Sequence, residues 1–388
     1  MKGLGLLPAA AVACVAVLHA SAAWAENGPK PPKVSIGGYV ESDFSYNFND
    51  PSNGVTNFRG FDNRHNTFTL SNAVLDTQWE ASGVDGRVSL QAGHTPSTYY
   101  LAEPSRPGAS GAGSTGAEVF KYIQRARVGY TFPVAQGLHL QMGIFLSPVG
   151  IESLAVKDSW NWSRSNLFFG LPFYHTGIRA TQQVGSLALT FGVINGWNSV
   201  VDNNDDKSIY SQIISESDRL RWAAVYVGGN ERNLSVPEGR AYRHLLDASV
   251  LVKVNSMLSV AANADVGAER NRFGWSSWYA GALYGRVQLV PDTLFVAVRQ
   301  DYFRETTAQN ASGTASTVFF LAKYVASSTA TIEGRAREAL SVRLEYRHDL
   351  ADASMFFAGQ VQGDGVTNPQ VPNAKTQDTL TLGATAWF

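Results

Sequence analysis

Charged side chains recur at every second position in several segments of this chain. Arg343, Glu345 and Arg347 alternate with Val342, Leu344 and Tyr346, and Arg125 and Arg127 alternate with Ala126, Val128 and Tyr130. Arg299 and Asp301 alternate with Val298 and Tyr302. Such spacing places the ions on one face of an extended strand and the apolar residues on the other. Ions confined to one face can line a water-filled passage, where a ring of charge sets which solutes cross. The candidates for that lining are Lys121, Arg125, Arg127, Arg179, Arg221, Arg243, Lys253, Arg286, Arg299, Arg343 and Arg347, opposed by Asp247, Asp265, Asp301 and Glu345. The excess of arginine predicts a mild preference for anions. Pairing across the interior, for rigidity alone, is the competing use for each arginine.

Covalent chemistry finds little support. Gly111-Ala112-Gly113-Ser114-Thr115-Gly116 matches G-x-G-x-x-G but lies in a small-residue loop without the strand–helix context of a nucleotide site. The histidines His65, His94, His139, His175, His244 and His348 lack metal-ligand spacing, and no G-x-S-x-G elbow occurs. Asp202-Asn203-Asn204-Asp205-Asp206 offers oxygens to a calcium ion but lacks the glycine and glutamate of a calcium loop, so a solvated turn is expected. No catalytic residue, cofactor or metal is expected.

The strands that must carry the charged rows are read at 34–48, 65–81, 86–96, 119–132, 138–146, 174–183, 186–196, 206–215, 219–228, 242–254, 258–268, 275–290, 293–303, 323–333, 338–349 and 376–388, roughly sixteen in all. The segment 206–215 has the weakest pattern. Short turns such as Gly83-Val84-Asp85, Val184-Gly185 and Pro291-Asp292 alternate strictly with longer stretches at 49–64, 97–117, 147–172, 197–205, 229–241, 269–274, 304–322 and 350–375. An even strand count with alternating short and long connections predicts an all-β fold: a transmembrane antiparallel up-and-down β-barrel of about 16 strands, with short periplasmic turns and long external loops. Arg or Lys facing lipid at the bilayer midplane would cost about 2–4 kcal/mol, so the charged face is expected inside. A soluble sandwich would reverse the faces, and periodicity alone does not separate the two.

The chain ends support the membrane reading. At the C-terminus Leu380, Leu382, Ala384, Ala386 and Phe388 share one face, with Thr379, Thr381, Gly383 and Thr385 on the other. A terminal aromatic on such a strand suits recognition by a barrel-assembly machinery. At the N-terminus Met1-Lys2, an apolar run over 4–20 and Ala23-Trp24-Ala25 form a secretory signal, with cleavage expected after Ala25. Cleavage removes Cys14, the one cysteine, leaving no disulfide or thiol chemistry. Residues 26–33 read as a Pro-rich leader and 34–388 as a single barrel. Lys and Arg total 31 against 32 Asp and Glu, which supplies no footprint for nucleic acid. After the signal no apolar run is long enough for a spanning helix.

The longest connections are 147–172 and 350–375. The former, by count the third external loop, carries Lys157, Asp158, Trp160, Trp162, Arg164, Phe168 and Phe169. Such an apolar loop would be an exposed patch in water. Folding into the barrel, where Lys157, Asp158, Trp160, Trp162 and Arg164 would narrow the passage, resolves the conflict. Packing on a neighbouring subunit, or joining an outer aromatic girdle, are the alternatives.

Several motifs together resemble the beta-barrel porin type 2 (OmpL-like) family of Gram-negative outer-membrane proteins. They are Asn47-Phe48-Asn49 with Asn53-Gly54, Phe61-Asp62-Asn63-Arg64-His65-Asn66, Asn72-Ala73-Val74-Leu75-Asp76, Val156-Lys157-Asp158, the stretch 160–177, the run Asn195 to Asp205, and Leu344-Glu345-Tyr346-Arg347-His348-Asp349. The block 160–205 is the most specific, and the resemblance spans 34–388. It implies a porin-like channel in the outer membrane and brings no substrate or catalytic residue with it. The expected function is passive diffusion of small hydrophilic solutes or ions, in contact with membrane lipid and as a possible homotrimer. A sugar-specific channel with an aromatic slide along 160–174, a plugged structural barrel, and an outer-membrane enzyme using His175 and His348 are the competing readings.

Overall fold

A computed structural model describes residues 31–388 apart from 101–102, 104–116, 135, 233–237, 310–318, 321 and 338. The signal segment 1–25 and the glycine motif 111–116 lie outside the described residues. Sixteen strands form a closed barrel in chain order: β1 Lys33–Asn47, β2 Thr67–Ala81, β3 Val84–Ala92, β4 Ile123–Phe132, β5 Leu138–Leu146, β6 Tyr174–Val184, β7 Leu187–Ile194 and β8 Ser208–Glu216. The circle continues with β9 Leu220–Asn230, β10 Tyr242–Lys253, β11 Leu258–Asn271, β12 Gly274–Val290, β13 Leu294–Thr306, β14 Tyr324–Ala336, β15 Leu340–Ala351 and β16 Thr376–Trp387. Every pairing is antiparallel to the next strand in the chain, and β1 closes on β16 with Tyr39 opposite Trp387 and Asn47 opposite Thr379. A closed ladder leaves no free edge, which is what a strand protein needs in lipid.

The weak segment at 206–215 is a full strand, β8, so the even count stands. Two other expectations change. Residues 269–274 do not form a long loop, because the β11–β12 ladder continues to Asn271 opposite Gly274 and only Arg272 and Phe273 turn. The strand expected from 119 starts at Ile123, since 117–122 winds into a 3-10 turn.

The period of two separates the faces. On β15, Leu340, Val342, Leu344 and Tyr346 are exposed on the outer wall, whereas Ser341, Arg343, Glu345 and Arg347 are buried inside. On β16, Leu380 and Leu382 face out and Thr379, Thr381 and Thr385 face in. One end of the barrel is made of tight turns. Ser82 and Gly83, both at positive φ (53° and 83°), form a hairpin of the mirror-image type whose twist matches the strands. The other end carries the long loops. There 48–66 and 352–375 interlock through Ser52 N–H to Gly359 O (2.8 Å) and Gly359 N–H to Asn49 O (2.8 Å).

Candidate functional site: a barrel interior divided between a docked loop and an arginine-lined vestibule

Loop 147–173 folds into the barrel. Its neck is closed by the Ser147 N–H donating to Phe173 O at 2.9 Å. Inside, most of its backbone cannot pair with itself, and buried amides and carbonyls need partners. The wall supplies them. Gly150 and Ile151 donate to Asp247 on β10 (3.1 Å) and Asn263 on β11 (2.9 Å). The Asn166 amide and side chain both donate to Asp301 on β13 (3.1 and 2.8 Å). Glu345 on β15 accepts from the amides of Trp162 (2.6 Å) and Ser163 (2.9 Å). Three arginines take the carbonyls: Arg299 that of Ser163 (2.5 Å), Arg343 that of Val156 (2.6 Å), and Arg347 that of Arg164. Val156 also donates to Glu41 on β1 at 2.5 Å, so this one residue is held from both sides of the closing seam.

The arginines are themselves neutralised. Arg299 lies 2.9 Å from Glu152 of the loop and 3.2 Å from Asp301. Arg343 pairs with Glu333 (2.9 Å) and Arg347 with Asp349 (2.7 Å), and Asp349 also receives Arg59 from loop 48–66 (3.1 Å). Removing one member of such a buried pair strands its partner, at a cost of about 3–5 kcal/mol.

Apolar packing completes the dock. Val149, Leu167 and Leu171 pack with inward-facing Trp278, Ala280, Ala282 and Phe303 of β12 and β13. Trp162 lies over Gly383 of β16, where a Cβ would stand 2.3 Å from the indole ring. The inner face of β9–β13 is thus apolar at Ala223, Val225, Val227, Leu245, Ala261 and Tyr284. This apolar arc is the seat of the loop. The signal was in the sequence, since Ala223-Ala224-Val225-Tyr226-Val227 is apolar at both parities, the mark of a strand buried on two sides.

The expected lining residues therefore divide. Arg299, Asp301, Arg343, Glu345 and Arg347 face inward as expected but hold the loop and are buried beneath it. Arg286 pairs with Glu333 at 2.7 Å and lies over the Phe295 ring. Arg179 bonds Gln141 (3.0 Å) and stacks on Phe145. Arg221 is exposed at the turn end, 3.6 Å from Glu216. Lys121 is a correction: it belongs to the 3-10 turn, with its ammonium over the outward Tyr122 ring, and not to the strand wall. Within the loop, Lys157 and Asp158 pair with each other (2.8 Å). Trp160 packs edge-on to Tyr284, and Arg164 is buried over Phe61, bonded to loop carbonyls including Ser153 O (3.1 Å) and Trp162 O (3.0 Å).

Opposite the seat, towards the turn end, the interior opens. A cavity of about 240 Å³ is bordered by Tyr39, Asp76, Arg87, Gln124, Arg125 and Lys157. A second, of about 450 Å³, is bordered by Lys33, Glu80, Asp85, Arg127 and His139. Arg87 makes a two-pronged pair with Asp76 (2.9 and 2.7 Å). Asp85 receives Arg127 and His139. Arg125 makes no hydrogen bond or ion pair among the described residues, and it borders the cavity without a bonded partner.

The two histidines of the enzyme reading do not share a site. His175 is buried between Gly196 O (3.0 Å) and Ser147 Oγ (3.2 Å), whereas His348 bonds Asp378 (2.8 Å) on the outer wall. Among the described residues, no group of three or more His, Cys, Asp or Glu side chains is arranged to hold a metal.

Comparison with known proteins agrees with this architecture. No curated protein matches the chain. Solved structures share the fold at low identity. An OmpT outer membrane protein of Vibrio cholerae in its trimer form is 10% identical with a TM-score of 0.58, covering 92% of this chain and 100% of that one. The anion-selective porin from Comamonas acidovorans is 11% identical with a TM-score of 0.56, again covering 92% and 100%. A family model described as "Putative beta-barrel porin-2, OmpL-like" matches residues 33–388, and the chain belongs to that family of barrel porins.

Proposed function

We propose that this porin is a diffusion channel of the outer membrane for small hydrophilic solutes and ions, with a mild preference for anions, and that loop 147–173 governs how wide its lumen stands. The observation that carries the reading is Arg125, which has no bonded partner among the described residues, beside a vestibule whose other arginines, Arg87 and Arg127, are paired. A surplus positive charge at a narrow point lowers the barrier to anions and raises it for cations. The fold shared with an anion-selective porin supports this reading, and the fold shared with a trimeric outer membrane protein supports a homotrimer. The barrel wall and the family support an outer-membrane setting reached through cleavage of residues 1–25, with Phe388 and its strand as the handle for barrel assembly. The enzyme reading that rested on His175 and His348 loses its shared site, because the two histidines bond different partners on opposite faces of the wall.

The aromatic slide loses its support, because Trp162 is buried against Gly383 of the wall and Phe168 and Phe173 are buried in a cluster with Phe61 and Leu154. One observation favours a plugged structural barrel instead: Trp162, Arg343 and Arg347 have almost no exposure, at 2%, 0% and 0%. Reconstitution in planar bilayers separates the readings. A channel gives measurable conductance and, in a salt gradient, a reversal potential displaced towards the anion value. Absence of current both from the native protein and from a variant with the loop released would leave the structural barrel.

A further inference from the structure

We propose that the outer wall carries a binding site for the phosphate headgroup of a membrane lipid, at the loop end of β9–β12. The site is separate from the lumen. Asn230, Tyr242, Arg270 and Trp275 are successive cross-strand partners in one row around the wall. Tyr242 and Trp275 point outwards and are exposed, as is Tyr279 one step below. Aromatic rings in this position mark the boundary between hydrocarbon and headgroups. Beneath them the wall is apolar and exposed at Leu246, Val266 and Leu283, a surface for acyl chains.

Directly at this boundary lies a cavity of about 590 Å³ bordered by Asp206, Lys207, Glu238, Arg240, Arg270 and Arg272. Four cations face two carboxylates. Lys207 is engaged by Asp202 and Arg240 by Asp206. Arg270 and Arg272 form no ion pair and donate no side-chain hydrogen bond among the described residues. The Arg270 guanidinium lies over the Trp275 ring at 6.0 Å, which orients it and leaves its N–H groups free. Arg272 is placed by its own amide, which donates to Glu238 O at 3.0 Å, and Gly239, at φ +67°, lies beside its guanidinium. Two free guanidinium forks beside a lysine match the oxygens of a phosphate ester, to which arginine presents paired donors. A free phosphate ion shares that chemistry, but the apolar wall immediately below favours a phosphate that arrives with acyl chains.

The test uses the purified, folded barrel in a neutral detergent, titrated with phosphatidylglycerol or phosphatidylcholine and read by native mass spectrometry, with inorganic phosphate as competitor. The native protein is expected to retain phosphatidylglycerol at least tenfold more tightly than an Arg270→Gln/Arg272→Gln variant, while phosphatidylcholine distinguishes the two proteins little. Inorganic phosphate at millimolar concentration is expected to leave the lipid in place. Equal retention by both proteins overturns the site, and displacement by inorganic phosphate alone overturns the lipid in favour of the free ion. Both arginines are exposed, so the variant keeps its barrel, which resistance to unfolding in cold dodecyl sulfate verifies. Because the site lies on the outer wall, single-channel conductance is expected to be the same in both proteins, and this separates its failure from a failure of the channel reading.

Discussion

The two sides of the interior use the same residue type to opposite ends. On β13–β15 the arginines Arg299, Arg343 and Arg347 have given up water for loop carbonyls and buried carboxylates. On β3 and β4, Arg87, Arg125 and Arg127 keep a share of water in cavities of a few hundred cubic ångströms. What separates them is the neighbouring strand face. Where β9–β13 turn alanine, valine and tryptophan inwards, a loop must cover them, and the arginines beside that loop become its anchors. Where β3 and β4 turn serine, glutamine and arginine inwards, little apolar surface needs covering and the arginines stay with solvent. An arginine inside a barrel is therefore a pore residue or a latch according to the polarity of the arc it belongs to.

The sharpest way to break this contrast is to remove a latch. Arg299→Ala strands Glu152 and Asp301 and is expected to cost about 3–5 kcal/mol, read as a lowered denaturant midpoint. Released from the wall, loop 147–173 should leave the lumen and raise single-channel conductance severalfold. An unchanged conductance would mean the loop is held by its apolar seat alone. Gly383→Leu tests that seat: its side chain enters the space of Trp162 and should cost about 1–3 kcal/mol by overpacking, with a smaller gain in conductance. On the solvated side, Arg125→Glu with Arg127→Glu sets a carboxylate against Asp85 and should cost less stability than the loss of a latch, while moving the reversal potential towards the cation value. A constant reversal potential would place the selecting charges elsewhere.

The smallest effect is a pH slope at the loop end. Glu231 accepts from the Trp197 amide (2.7 Å) and Ser208 Oγ (2.6 Å), and burial pushes its carboxyl above the ordinary range against the attraction of Arg243. The folded protein thus binds this proton more tightly than the unfolded chain. The stabilisation is full below the unfolded value of about 4.3 and is lost as pH rises through the folded one. Unfolding midpoints should fall across that window in the native protein, and Glu231→Gln should flatten that slope.

Much of this was legible in the sequence because a barrel wall obeys a period of two. Leu340 to Arg347 sorts into lipid and interior faces without any knowledge of tertiary contacts, and so does the last strand. The use of the interior was not legible in the same way. Whether Arg343 meets water or Val156 O depends on a loop almost two hundred positions away, and no local pattern encodes that distance. The apolar character of loop 147–172 did signal that it must be buried, and Ala223–Val227 signalled where. Reading those two together would have located the dock. Lys121 was misplaced because its neighbours alternate like a strand while the backbone there is wound by the turn that ends a long connection.

Val156 adds a temporal dimension to the architecture. Its amide is held by Glu41 near the start of the barrel and its carbonyl by Arg343 near the end. These anchors come into reach of one another only when β1 and β16 have zipped together, so contacts spanning most of the chain must precede the two-sided hold on Val156. Loop-closure entropy makes such long-range contacts slow to form. The nascent barrel would accordingly pass through a stage with its circumference sealed and this hold still unmade. The hold would then serve as a kinetic marker of completed closure, arriving after the wall has become resistant to unfolding.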